Sequence, residues 1–108
     1  MIKRIAAHKI CLSEHHFVEN AAVVVIDGVV ADIVPCVVDG VEQSGTAFYN
    51  GVITPDFNRK RLCVGSCLGR LLTVELAVGY AGPLWLWTHI NVKTLQITDS
   101  VRYQNLEL

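Results

Sequence analysis

Apolar positions in the first half of the chain come in short runs broken by turn residues. Residues 21–27 form one such run, Gly28 interrupts it, and a second run at 29–34 continues to Pro35. Asp27-Gly28 between two β-branched stretches predicts a hairpin, because a type I′ turn needs positive φ at both central positions. Pro35, with no N–H to give to a ladder, closes the second strand. Asp39-Gly40 and Asn50-Gly51 predict two more turns, the latter separating strands at 46–49 and 52–54. Upstream, 2–7 and 9–12 read as strand and 13–16 as a polar connector. Beyond Phe57 the pattern loosens. Residues 62–65 are a short apolar piece ending in glycine, and 71–78 read as strand despite Glu75. Residues 84–90 read as an extended segment, 101–103 as a last strand. Residues 92–98 alternate apolar and polar throughout, as a half-buried strand does.

Composition agrees with strands. Sixteen Val and eight Ile, 24 of 108 residues, outnumber the eleven Leu and eight Ala, and β-branched side chains suit a pleated surface. With 52% hydrophobic and 18% charged residues the chain is too apolar for disorder. At 108 residues it makes one domain, and a (β/α)8 barrel of about 250 residues does not fit. The expected architecture is all-β: a small antiparallel β-sandwich of about eight to ten short strands.

Charge narrows the partners. The net charge of -1 provides no general field for nucleic acid or anionic lipid, and neither partner is expected. No window approaches 18 uninterrupted apolar residues, and the first residues lack a signal core, so a cytoplasmic protein with reduced thiols at Cys11, Cys36, Cys63 and Cys67 is expected. From Ile10 to Asn58 there is no Lys or Arg but there are seven acids; Arg59-Lys60-Arg61 then arrive together and mark a loop.

Several of these features fall in a familiar order. Residues 2–6, the hairpin 22–35 ending in Ile33-Val34-Pro35, and 49–57 ending in Thr54-Pro55-Asp56-Phe57 resemble the segment preceding the barrel in metal-dependent amidohydrolases. Residues 62–103, beginning Leu62-Cys63-Val64-Gly65-Ser66, resemble the segment that follows the barrel. The resemblance implies a composite β-sandwich domain without its catalytic barrel, with 58–61 as the junction. In that family a His-x-His pair that binds the catalytic metal comes immediately after the "PGF" segment. Here Asp56-Phe57-Asn58-Arg59-Lys60-Arg61 stand at that place, and no histidine lies between His16 and His89. The resemblance therefore implies a non-catalytic remnant that serves as a binding or homo-oligomeric assembly module. Its rival is a metal-binding hydrolase, or hydrolase subunit, with a site at an oligomer or partner interface.

Candidate chemistry is sparse. His15, His16, His89 and Cys11 are the residues from which a metal site, for Zn2+ or a transition metal, would have to be built. Adjacent histidines on a strand face opposite ways, however, so a polar connector is the plainer reading and no cofactor is expected. Cys63 and Cys67 are not spaced as a CxxC pair. Asp27 and Asp39 are accounted for as turn residues and Asp32 as an outward strand residue. The extended segment 84–90 is apolar on both faces: Trp85 and Trp87 on one, Leu84 and Leu86 on the other. A small sandwich covers only one of these, so these four residues are the expected oligomer interface.

Overall fold

The computed structural model describes residues 2–35, 37–38, 41–42 and 45–106, and strands dominate it. Strand β1 (Ile2–Ser13) runs unbroken through His8 and turns back at Glu14-His15 into β2 (His16–Glu19). Then come β3 (Ala21–Ile26) and β4 (Val29–Pro35), joined by the expected hairpin, with φ +51° at Asp27 and +82° at Gly28. The short β5 (Val37–Val38) and β6 (Val41–Glu42) pair with each other, and the Asp39-Gly40 turn falls outside the described residues. Last come β7 (Thr46–Thr54), β8 (Trp85–Thr88) and β9 (Arg102–Asn105). The main sheet has seven strands in the order β4-β3-β1-β7-β8-β9, with β2 beside β1.

The all-β expectation is met by one open sheet, and it is mixed rather than antiparallel, since β1 and β7 run parallel. Asn50-Gly51 is not a turn: β7 passes straight through it. Ala7 pairs with Tyr49 and Lys9 with Val52, so His8 alone faces two residues and the pair forms a β-bulge. Gly51 is required there, because a Cβ would lie 2.2 Å from the Trp87 carbonyl oxygen and φ is +150°. The strands expected at 71–78 and 92–98 are absent. Leu68–Leu71 is a 3-10 turn, and beyond it Leu71 and Leu76 reach the interior while Val74 and Val78 stay in solvent. At 91–94 the Asn91 side chain accepts from the N–H groups of Lys93 and Thr94, and this local turn displaces the ladder. Leu95 at φ +59° and Ile97 are buried from a loop.

Two apolar clusters hold the sheet. The first gathers Ile5, Ala7, Ile10, Val23, Val25, Val30, Ile53, Leu76, Leu84 and Leu86; the second Cys11, Val52, Phe57, Leu68, Leu71, Trp87, Ile90, Leu95 and Ile97. The neighbours Val52 and Ile53, and likewise Leu86 and Trp87, divide between them, so the clusters lie on opposite faces of β7–β8. Loops from 57–72 and 90–97 close the second cluster. At the outer edge of the β1–β3–β4 end, on the side away from the first cluster, three apolar side chains stay open to solvent, while Ala6 and Ala22 further in are buried. There Ile2 pairs with Ile26 and Ile26 with Val29, and the three are 69%, 39% and 39% exposed. No helix among the described residues is long and apolar enough to cross a membrane.

Candidate functional site

The β7 bulge positions the most site-like feature of the chain. By setting Asn50 and Gly51 opposite His8, it brings the Asn50 Oδ1 within 2.5 Å of the His8 Nε2. The Asn50 amide oxygen accepts from the His8 Nε2–H. The Phe48 ring meets the His8 ring edge-on at 5.3 Å and fixes its plane. Across the gap β8 ends at Thr88, and His89 follows in a left-handed conformation, φ +57°. The Thr98 hydroxyl donates to the His89 carbonyl and pins that corner. His8, Asn50, Gly51, Thr88, His89, Ile90 and Val92 line an open cleft of about 510 Å3. A bulge and a strained left-handed histidine at the rim of one cleft are the backbone features that collect at binding sites. Chemically, the cleft offers two imidazoles, one amide and an apolar wall, which suits a small polar ligand.

Of the four candidate metal ligands, only His89 reaches this cleft. Cys11 is buried in the second cluster; its thiol donates to the Ser13 carbonyl, and burial pushes its pKa up to about 11. His15 is exposed and pairs with the Glu14 carboxylate at 2.9 Å, and His16 opens β2 in solvent. No three His, Cys, Asp or Glu side chains converge among the described residues. Cys11, Cys63 and Cys67 are free thiols, and Cys36 lies outside the described residues. His8 escaped the sequence reading because its partner, Asn50, is 42 positions away and in a parallel strand. The one local signal was Asn50-Gly51, which reads as a turn.

The residues expected at an oligomer interface are mostly interior. Leu84 and Leu86 belong to the first cluster, Trp87 is fully buried in the second, and Trp85 is half-buried. The premise that the chain covers one face of this strand fails, because its loops cover the other. The Trp87 Nε1 donates to the Thr54 hydroxyl at 2.9 Å, so even its polar atom is satisfied inside. A smaller cavity of about 290 Å3 beside Tyr80 is structural: the Tyr80 hydroxyl donates to the Pro83 carbonyl and accepts from the Asp56 N–H. Burial raises the pKa of that phenol, outweighing the Asp56 N–H bond that lowers it.

The junction expected at 58–61 is an exposed 3-10 turn, Arg59–Arg61, capped by the Asn58 side chain on the Lys60 N–H. No family model matches the chain, and no curated protein or solved structure matches it.

Proposed function

We propose that the chain is a non-catalytic assembly and binding module on the β-frame that flanks the barrel in metal-dependent amidohydrolases, working as a cytoplasmic homo-oligomer. The observation that carries the assembly reading is the exposed apolar row Ile2–Ile26–Val29. Arg4 and Asp32 both pair with Val24 or its neighbours in the next row, Arg4 with Val24 and Val24 with Asp32. They share that face with the apolar row, one on each side of β3. A twofold axis would set Arg4 of each copy against Asp32 of the other, so the face is complementary to itself.

The frame reading is supported by how the two segments combine. Strands from 1–57 supply β4-β3-β1-β7, the chain beyond residue 61 adds β8-β9, and the connection at 58–61 sits in solvent, where an inserted domain can leave and re-enter. Light scattering on the purified protein tests the assembly. An oligomer at tens of micromolar that Ile26→Glu converts to folded monomer is expected; a wild-type monomer at that concentration overturns it. The rival hydrolase reading is favoured by His8 and His89, which both line the cleft of about 510 Å3. A stoichiometric bound metal whose removal abolishes amide hydrolysis would establish it in place of ours.

A further inference from the structure

Behind the junction turn, three aromatic rings stand at near right angles to one another. The Phe57 and Trp85 centroids are 5.4 Å apart with planes at 84°, Phe57 and Tyr103 5.2 Å at 83°, and Trp85 and Tyr103 5.8 Å at 70°. Trp87, fully buried, contacts Phe57 at 4.7 Å and Tyr103 at 5.1 Å and closes the floor. The Arg59 guanidinium occupies the corner, its central carbon 4.7 Å from the Trp85 centroid, 5.1 Å from Phe57 and 5.8 Å from Tyr103. Elsewhere Lys9 lies over a single ring, Phe17. Three ring faces on one cation make this the densest cation–π corner among the described residues.

We propose that Phe57, Trp85 and Tyr103 form an aromatic cage for a quaternary-ammonium cation, and that Arg59 is its resident occupant when no ligand is bound. The walls are preorganised. Phe57 is almost fully buried, and β-pairing fixes Trp85 and Tyr103 through Trp85 with Asn105 and Trp87 with Tyr103. The occupant, by contrast, is exchangeable: Arg59 is exposed, stands on a three-residue turn, and has no carboxylate within ion-pair distance among the described residues.

The chemistry selects the ligand class. A primary ammonium needs hydrogen-bond acceptors, whereas a trimethylammonium group needs only π faces. Among the described residues the one unpartnered buried polar atom around the corner is the Trp85 indole N–H, a donor, which offers nothing to an ammonium proton. A trimethylammonium group is therefore the better fit, whether from a free choline-type molecule or from a trimethylated lysine of a protein. The cage is independent of the sheet-face association, since its walls belong to the covered end.

The test is titration with choline and with a trimethyllysine peptide, read by tryptophan fluorescence and calorimetry. Arg59→Ala should bind about tenfold more tightly than the wild type, as when the cage is open a tenth of the time. The neutral isostere 3,3-dimethylbutanol should not bind. Tyr103→Leu keeps apolar bulk without a π face and should lose binding while melting cooperatively. The source of the cation follows from which of the two cationic probes binds more tightly. Absence of saturable binding to folded Arg59→Ala, or equal affinity for the neutral isostere, overturns the proposal.

Discussion

On the side of the sheet away from the first cluster, the two ends are finished in opposite ways. At the β7–β8 end, loops 57–72 and 90–97 fold back and bury Val52, Phe57 and Trp87, with the one indole N–H of Trp87 matched to Thr54. At the β3–β4 end Ile26 and Val29, with Ile2 of β1 paired beside them, have no such cover among the described residues. Both ends are built from apolar strand residues, so strand composition does not distinguish them. The difference lies in what returns over the strands. One end covers its apolar surface with the chain's own loops, and the other leaves Ile2, Ile26 and Val29 open to solvent.

The covered end is most vulnerable at Gly51. Its missing Cβ is what lets β8 approach β7, with the Trp87 carbonyl in the space. Gly51→Ala should cost about 3 kcal/mol or more and unfold the covered end first. Trp87→Ala, which empties the centre of the second cluster, should cost about 3–5 kcal/mol. At the other end, Gly28→Ala meets nothing within 4 Å and pays only for φ +82°, about 1 kcal/mol. Urea denaturation of the three variants, followed by hydrogen exchange in β3 and β8, checks both the sizes and the order. A Gly51→Ala protein as stable as Gly28→Ala would refute the close approach.

A pH ramp sharpens the same contrast. Cys11 is sealed in the second cluster, and burial lifts its pKa from 9.0 to about 11. Between those values the unfolded chain has lost the proton that the folded chain retains. Stability is therefore full below pH 9 and falls as the pH rises towards 11, by about 2–3 kcal/mol at 1.36 kcal/mol per unit. The raised Tyr80 phenol acts in the same direction. Cys11→Ala should flatten the loss above pH 9. Exposed Cys63 and Cys67 should alkylate at neutral pH while Cys11 resists. A smaller effect follows at Thr54, whose hydroxyl is the acceptor for the Trp87 N–H and itself donates to the Pro55 carbonyl. Thr54→Val keeps the shape, strands a buried donor, and should cost about 1–3 kcal/mol by thermal melting.

How far these features were legible in the sequence depended on whether their cause was local. The β3–β4 hairpin was legible because Asp27 and Gly28 carry their own backbone preference, and so was the end of β4 at Pro35. Asn50-Gly51 carries the same preference, yet a partner 42 positions away at His8 turned it into a bulge. The alternation at 92–98 met only an isolated antiparallel bridge, Gln96 with Cys67, rather than a full partner strand. Asn91 offered a local turn instead, and Leu95 and Ile97 reached the core from a loop. For the site, His89 was legible as a residue type but not as one rim of a cleft. The aromatic residues at 85 and 87 signalled an apolar surface, whereas Phe57 and Tyr103, which complete their cluster, lie in segments that only the folded register brings near.

The smallest expected effect is also the one that tests the bare end itself. Val25 and Ile26 are neighbours in β3 with opposite fates: Val25 is 4% exposed in the first cluster, and Ile26 is 39% exposed in the open row. If nothing from the same chain covers that row, Ile26→Ser changes monomer stability by no more than about 0.5 kcal/mol, measured by denaturation at submicromolar protein. Val25→Ala loses buried methyl groups and should cost about 1–3 kcal/mol under the same conditions. Concentration then separates stability from association. At tens of micromolar the wild type should gain stability that Ile26→Ser does not, because only an intact row binds a second copy. Equal costs for the two substitutions at low concentration would mean that the chain seals both ends of its sheet, and the apolar row would no longer be a surface for assembly.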